Sequence, residues 1–200
     1  MFTGIIEAVG KIKKVMPIEG GVFIEVIAGG LDLSDVGVGD SIATNGVCLT
    51  IIALAGNVIS MQVSRETLNC TQSLDIQGEG VNLEKAMQLS DRVNGHLVSG
   101  HVDGVGKIIK LESAGENYIL TIKPPDSLMR YIVKKGSIAV NGVSLTVNLI
   151  TKDGGFMVNL IPHTIEATTF KELKVGMEVN LEIDMFARYA EQFLILAPMK

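Results

Sequence analysis

SIATNGVCLT at Ser41–Thr50 and SIAVNGVSLT at Ser137–Thr146 decide the fold, because the chain carries one segment twice. Eight of the ten residues are identical at an offset of 96 residues. TGIIEAVGKI at Thr3–Ile12 returns at the same offset as SGHVDGVGKI at Ser99–Ile108. Solenoid units repeat every ~20–50 residues, so this longer period matches a small domain. The chain of 200 residues therefore consists of two copies of one domain.

Short apolar runs punctuated by Gly, Asn and Asp predict many short strands. Asn45-Gly46 and Asn141-Gly142 each lie between two such runs, which is typical of a hairpin turn. Roughly six strands in each copy favour a small closed barrel, because closure removes exposed strand edges. We predict an all-β fold of two tandem six-stranded antiparallel closed barrels related by internal duplication, with a short C-terminal helix. The expected bounds are residues 1–88, 97–184 and 185–200.

Helix is predicted sparingly. One short helix is expected in Pro125–Lys134 and its counterpart near Leu31–Val36. A C-terminal helix begins near Asp184, which can serve as its N-cap. Apolar residues recur there at alternating spacings of three and four, namely Phe186, Tyr189/Ala190, Phe193 and Leu196/Ala197. Because so short a helix is marginal alone, it must pack on the barrels or on its own copies.

Composition excludes several classes of protein. The net charge is −5 and basic residues are not clustered, which argues against nucleic-acid binding. No apolar stretch of about 18 residues predicts a membrane span, and the N-terminus does not resemble a signal peptide. Cys48 and Cys70 suit a reduced, cytoplasmic protein, and Cys70 is expected to be a core thiol. The cysteines lack zinc-site spacing and His96 and His101 are an odd number apart, so no metal site is predicted.

The positions where the copies differ are candidates for chemistry. Ile5 of the first copy is His101 in the second, and Cys48 corresponds to Ser144. VNLE occurs at both 81–84 and 179–182, which aligns Ala86 with Asp184. Imidazole, thiol, hydroxyl and carboxylate groups move protons or attack carbon. Each also has a structural explanation, such as packing, turn formation or helix capping.

Several motifs together resemble the trimeric α-chain type of riboflavin synthase over residues 1–189. They are MFTGI at the N-terminus, NGVCLT, GHLVSGHVDG, KKG followed by NGVSLT, and VNLEID. The resemblance implies two lumazine-binding barrels, a homotrimer held by the C-terminal helix and no cofactor. It further implies a dismutation of two molecules of 6,7-dimethyl-8-ribityllumazine by transfer of a four-carbon unit. The products would be riboflavin and 5-amino-6-ribitylamino-uracil, and association with lumazine synthase is left open.

The resemblance implies one lumazine in the N-terminal barrel of one subunit and its partner in the C-terminal barrel of the next. By position, the first site would use Gly4, Ile5, Ile6, Cys48, Leu49, Thr50, Gln62, Val63, Ser64, Arg65, Glu66 and Thr67. The second would use Gly100, His101, Val102, Lys135, Ser144, Leu145, Thr146, Leu160, Ile161, Pro162, His163, Thr164 and Ile165. The residues expected near the chemistry are Phe2, Ser41, Cys48, His101, Ser144 and Asp184.

In this hypothesis the acidic 7-methyl group of one lumazine is deprotonated, and most of the acceleration comes from stacking the two rings. His101 is the candidate for proton transfer, since imidazole titrates near neutral pH. Cys48 and Ser144 are candidates for polarising the ring or adding to it. Two alternatives are a non-catalytic antenna protein with the same barrels and a flavin-binding barrel of the ferredoxin-reductase class. The Arg-x-Tyr-Ser/Thr flavin motif of the latter class does not occur in the sequence.

Overall fold

The computed structural model describes residues 1–196 and contains two six-stranded closed antiparallel barrels, which confirms the predicted fold class. The N-terminal strands are β1 (Ala8–Ile18), β2 (Gly21–Ile27), β3 (Ser41–Thr44), β4 (Val47–Ala55), β5 (Val58–Ser64) and β6 (Gly80–Lys85). The C-terminal strands are β7 (Gly104–Ala114), β8 (Asn117–Lys123), β9 (Ser137–Val140), β10 (Val143–Ile150), β11 (Phe156–Leu160) and β12 (Glu178–Ile183). Around each barrel the strands follow the same order, β1-β2-β5-β4-β3-β6 and β7-β8-β11-β10-β9-β12.

Alternation along the strands fills the interior of each barrel. On β4, Leu49 and Ile51 are buried in the N-terminal core, whereas Thr50 is exposed. On β10, Leu145 and Val147 are buried in the C-terminal core. Because side chains in a strand point alternately to its two faces, every second residue lies on the outside of the barrel.

The two predicted hairpins are confirmed and their tips meet each other. Asn45 and Gly46 have φ of 47° and 81°, and Asn141 and Gly142 have φ of 46° and 82°. Positive φ at both central residues is the geometry of a type I′ turn, which favours Asn-Gly. A Cβ atom added to Gly46 would lie 2.7 Å from the backbone nitrogen of Gly142. Glycine is therefore required both for the turn and for the close approach of the barrels.

A quasi-two-fold amide network joins the barrels. The side chain of Asn82 donates to the carbonyl oxygen of Asn141 at 2.9 Å, and that of Asn180 donates to the carbonyl oxygen of Asn45 at 3.0 Å. The Oδ1 atom of Asn45 accepts a hydrogen bond from the backbone N–H of Asn82. In the same way, the Oδ1 atom of Asn141 accepts one from the backbone N–H of Asn180. All four residues are buried, so these hydrogen bonds fix how one barrel sits on the other.

The segment that precedes each barrel crosses onto the other barrel. The backbone N–H of Ser144 on β10 donates to the carbonyl oxygen of Gly4 at 2.8 Å. The backbone N–H of Cys48 on β4 donates to the carbonyl oxygen of Gly100, also at 2.8 Å. Phe2 and Val98 pair with each other between the barrels. The two leading segments therefore exchange places across the quasi-two-fold axis.

Short helices lie between the strands. The structure contains α1 (Arg65–Cys70), α2 (Pro162–Ala167) and 3₁₀ helices at Asp126–Tyr131 and Thr169–Glu172. The helix predicted in Pro125–Lys134 is confirmed as a 3₁₀ helix, but the one expected near Leu31–Val36 is wrong. There Asp32 accepts a hydrogen bond from the N–H of Ser34 at 2.9 Å, which stabilises a turn in place of a helix.

The C-terminal helix α3 (Met185–Leu196) is confirmed, and Asp184 accepts a hydrogen bond from the N–H of Phe186 at 3.0 Å. Arg188 pairs with Asp103, and Arg130 pairs with Glu191 at 3.0 Å, which ties the helix to the C-terminal barrel. Its exposed apolar residues are Phe186, Tyr189, Phe193, Leu194 and Ile195. The side chain of Leu196 and all of Ala197, which the predicted stripe included, lie outside the described residues. No helix within residues 1–196 has the length and apolarity needed to span a bilayer.

Candidate active site

Equivalent rows of polar residues lie on the outside of the two barrels. On the N-terminal barrel Ser41 pairs with Thr50 in register, and Cys48 follows on the same face. On the C-terminal barrel Ser137 pairs with Thr146 in register, and Ser144 follows. Both interiors are filled with apolar side chains, so the polar groups that these strands offer to a ligand lie in the outer rows.

A cavity of about 250 Å³ opens at the outer row of the N-terminal barrel. It brings together Cys48 and His101, although they belong to different copies of the repeat. Its lining residues are Val47, Cys48, Glu66, Thr67, Cys70, Thr71, Gly100, His101 and Val102. Cys70 lies on the exposed side of α1, so its predicted role as a core thiol is wrong.

Within one chain, the structure brings together residues that the prediction assigned to different sites. Gly100–Val102 lie on the N-terminal barrel beside Cys48, and Val102 packs against the N-terminal core. Gly4–Ile6 lie on the C-terminal barrel beside Ser144, and Ile6 packs against the C-terminal core. The physical reason for this arrangement is that each leading segment crosses to the other barrel, where Gly4 and Gly100 accept equivalent backbone hydrogen bonds.

Two buried glutamates hold the leading segments in place. Glu84 accepts hydrogen bonds from the N–H of Thr3 at 2.6 Å, its hydroxyl at 2.8 Å and the N–H of Gly4 at 3.0 Å. Glu182 accepts the equivalent three from Ser99 and Gly100 at 2.6–2.9 Å. Burial raises the pKa of Glu84 above its ordinary value, and the three donors oppose that shift only in part. Sequence reasoning missed both residues, although the repeated VNLE motif contains them.

The short helix α1 forms one rim of the Cys48 cavity. The N–H of Thr67 donates to the hydroxyl oxygen of Ser64 at 3.1 Å, which caps the helix. Gln62 and Ser64 are exposed on the outer face of β5, and Arg65 and Glu66 are exposed on the helix. By contrast, Leu49 and Val63 point into the core. The last two can therefore offer a ligand only backbone atoms.

The predicted binding residues of the C-terminal barrel divide in the same way. Ile161, Pro162 and His163 are exposed at the start of α2, and Thr164 and Ile165 are half-buried behind them.

The other residues of this group lie along the barrel. Thr146 is exposed, whereas Leu145 and Leu160 are buried in the core. Lys135 is exposed with φ of 70°, and its N–H donates to the carbonyl oxygen of Val147 at 2.7 Å.

Of the remaining chemical candidates, Ser41 and Asp184 lie apart from the Cys48 cavity within one chain, whereas Phe2 packs against Cys48. Phe2 is fully buried, and its ring lies 2.9 Å from where a Cβ atom on Gly100 would stand, so it supports the site from beneath. Ser41 lines a cavity of about 230 Å³ with Asp35 and Lys85.

Asp184 lines a larger cavity, of about 540 Å³, between the C-terminal barrel and α3. Its neighbours there include Ser137 and Phe186.

Ser144 has a partner that sequence reasoning missed. The Nδ1 atom of His96 lies 2.7 Å from the hydroxyl oxygen of Ser144. From the sequence alone, His96 is considered only as a possible metal ligand. Its position beside the repeat signature depends on the path of the linker between the barrels, which no local pattern reveals.

Comparison with known proteins agrees with this architecture. A family model described as the lumazine binding domain matches residues 3–86 and again residues 99–184. Riboflavin synthase of Photobacterium phosphoreum is 45% identical over 197 residues, covering 98% of this chain and 90% of that protein. Riboflavin synthase of Bacillus subtilis (strain 168) is 43% identical over 195 residues, covering 97% and 90%.

Solved structures of LumP share the fold. Its complex with 6,7-dimethyl-8-(1'-D-ribityl) lumazine has a TM-score of 0.81 and its complex with riboflavin 0.84, each at 25% identity. Both alignments cover 92% of this chain and 99% of LumP. Identity to the curated synthases is well above identity to LumP. The chain therefore belongs to the riboflavin synthase family, as an enzyme of that class built from two lumazine-binding domains.

Proposed function

We propose that this enzyme converts two molecules of 6,7-dimethyl-8-ribityllumazine into riboflavin and 5-amino-6-ribitylamino-uracil by transfer of a four-carbon unit. The observation that carries the proposal is the pair of equivalent outer rows, which offers two similar surfaces to two copies of one ligand. One row contains a thiol at Cys48 where the other contains a hydroxyl at Ser144. The two bound molecules can therefore take different roles.

We further propose that the active site forms between the N-terminal barrel of one subunit and the C-terminal barrel of the next in a homotrimer. The Cys48 cavity, at about 250 Å³, is smaller than the roughly 300–1,000 Å³ typical of small-molecule sites. A second protein surface would enlarge and close it. The cavities that contain Cys48, Ser41 and Asp184 are separate within one chain, which also favours completion by a neighbour.

In the proposed mechanism the protein contributes mainly position. Two ring systems held face to face between the rows gain an entropy advantage worth up to roughly 7–11 kcal/mol. His101 is exposed beside Cys48, where its imidazole can exchange a proton with the 7-methyl group of a bound lumazine. Exposed hydroxyls such as those of Thr50 and Thr146 can bind the ribityl chains.

The second candidate is a non-catalytic lumazine-binding or flavin-binding protein, favoured by the likeness to the LumP complexes. The outer rows of both barrels retain their polar residues here, whereas an antenna protein needs only one ligand site. Purified enzyme incubated with 6,7-dimethyl-8-ribityllumazine should develop the absorbance of riboflavin. Tight binding without that absorbance would establish the antenna function and overturn the proposal.

A mixing experiment tests the subunit arrangement. Thr50→Arg blocks the row of the N-terminal barrel, and Thr146→Arg blocks the equivalent row of the C-terminal barrel. Both positions are exposed, so the folds should survive. Each variant alone should be inactive, but co-expressed oligomers contain an unblocked N-terminal barrel next to an unblocked C-terminal barrel. Recovered activity in the mixed oligomers supports a shared site, and none at all would show that each chain works alone.

A further inference from the structure

The imidazole of His96 is pressed against Ser144 by the linker between the barrels. The residue is 9% exposed, and its backbone N–H donates to the carbonyl oxygen of Thr3 at 3.1 Å. A Cβ atom on the preceding Gly95 would lie 2.8 Å from the hydroxyl oxygen of Ser144. The hydrogen bond to Thr3 and the close packing of Gly95 on Ser144 therefore fix the 2.7 Å contact between His96 Nδ1 and Ser144 Oγ.

The unpaired ring nitrogen indicates which tautomer is present. The Nε2 atom of His96 is buried and has no hydrogen-bond partner among residues 1–196. Burial lowers the pKa of this imidazole, and the Asp184 carboxylate opposes that shift only in part, which favours the neutral ring. A neutral imidazole has one N–H and one lone pair. Because orphaned buried N–H groups are rare, the proton belongs on Nδ1, where it donates to Ser144.

This pair belongs to one half of the duplicated scaffold. Ser144 and Cys48 bond the leading segments identically, through Gly4 and Gly100. The Cys48 side chain packs against Phe2, whereas the Ser144 side chain meets the imidazole of His96. The histidine therefore marks a difference between the two ligand surfaces that the repeat alone does not contain.

We propose that His96 is a positioning residue, which occupies one lone pair of the Ser144 oxygen and turns its O–H toward the ligand on the C-terminal barrel. The inference rests on the proposed function, since it assigns Ser144 as a donor to a ring carbonyl or ring nitrogen of the bound lumazine. When the 7-methyl group loses its proton, negative charge spreads onto those ring atoms. A preorganised donor stabilises that charge more than it stabilises the neutral ring.

The test compares His96→Asn with His96→Leu. The amide nitrogen of asparagine can take the place of Nδ1, whereas leucine fills similar volume without a donor. We expect His96→Leu to lower kcat about tenfold with little change in KM, and His96→Asn to stay within about threefold of the wild type. In a Ser144→Ala background, the further change His96→Leu should have no effect. Equal losses for both His96 variants, or an additive loss in the double variant, would overturn the proposal.

A second measurement depends neither on activity nor on any substitution of His96 or Ser144. Nitrogen NMR of the three histidines in the wild-type protein distinguishes the tautomers, and His101→Asn and His163→Asn assign the remaining signal to His96. We expect the proton on Nδ1 at pH 7. A proton on Nε2 would overturn the inference even if the enzyme makes riboflavin. Failure to make riboflavin with the proton on Nδ1 would instead overturn the proposed function.

Discussion

At the scale of single residues, the two copies differ most where one carries an ionisable side chain and the other does not. His101 lies in the Cys48 cavity, while its counterpart Ile5 is 45% exposed on the opposite barrel. Because the segments that carry them have the same backbone pattern, each residue should tolerate the identity of the other. Chemistry can thus be varied here without changing the fold.

His101→Ile should lower kcat by about 10²–10⁴ while ligand affinity changes much less, because one proton-transfer group is lost. Riboflavin formation at saturating lumazine and fluorescence titration of the ligand measure the two effects. Ile5→His is the reciprocal control and should not raise activity, since it places the imidazole beside Ser144 instead of Cys48. Turnover that falls only in proportion to affinity would make His101 a binding residue.

Glu84 should make stability depend on pH. Its raised pKa means that the folded protein holds this proton more tightly than the unfolded chain. Its contribution to the free energy of unfolding should therefore be greatest at low pH and fall as the pH rises above its ordinary value of 4.5. Urea unfolding at several pH values, for the wild type and Glu84→Gln, measures the difference between them. A difference that grows with pH would show that hydrogen bonds outweigh burial.

At the scale of elements, close backbone approach attaches each leading segment to the opposite barrel. A Cβ atom on Gly100 would lie 2.6 Å from that of Cys48, and one on Gly4 would lie 2.6 Å from that of Ser144. Both glycines also have positive φ, near 80°. The segments therefore cannot sit on the barrels with any larger residue at these positions.

Gly100→Ala should weaken ligand binding at the N-terminal barrel, because the segment must move away from Cys48. Gly20→Ala is the matched control, since Gly20 has φ of 79° and no neighbouring atom within 4 Å. Both variants should lose roughly 1–2 kcal/mol of stability from the strained backbone, and Gly100→Ala should lose more because of its clash with Cys48. Only Gly100→Ala should lose affinity. Thermal unfolding and lumazine titration separate the two quantities. Equal affinities would show that the close contact is not needed for binding.

The helix α3 is tied to the C-terminal barrel by charged residues and presents its apolar residues outward. Burying a side chain as large as Phe193 is worth about 1.5–3 kcal/mol, which an oligomer can gain and a monomer cannot. Phe193→Glu should therefore shift the proposed trimer toward monomer, as measured by sedimentation. Gln192→Glu adds the same charge at the neighbouring exposed position and should leave the assembly unchanged. A stable Phe193→Glu trimer would assign assembly to the barrels.

At the scale of the whole molecule, each barrel depends on the other for part of its outer surface. The fragment 1–88 contains every strand of the N-terminal barrel but lacks Gly100–Val102. Its own Gly4–Ile6 can take the place of Gly100–Val102 on the barrel of a second copy. The carbonyl oxygen of Gly4 accepts a backbone hydrogen bond from a barrel strand just as that of Gly100 does. The fragment contains Asn45-Gly46 as well, so the tips of two copies can meet as the two barrels do.

We therefore expect fragment 1–88 to fold, dimerise and bind lumazine without forming riboflavin, since it lacks His101. Sedimentation and fluorescence titration measure assembly and binding on the same sample. Gly4→Ala in the fragment should abolish both together, whereas Gly20→Ala should abolish neither. A monomer that binds lumazine would show that the leading segment does not contribute to the ligand surface.

The duplication, the strands, the two Asn-Gly hairpins and the start of α3 could be predicted from the sequence, because they depend on alternation, turn chemistry and capping over a few residues. The sequence also pointed to His101, Cys48 and Ser144 through the differences between copies. Only the tertiary structure decided which leading segment lies on which barrel, and hence that His101 meets Cys48. The two segments share the glycine that approaches the barrel, Gly4 in one and Gly100 in the other, so the sequence alone does not tell which barrel each one meets. The choice rests on chain connectivity and on the contact between the hairpin tips, which join residues about 100 positions apart.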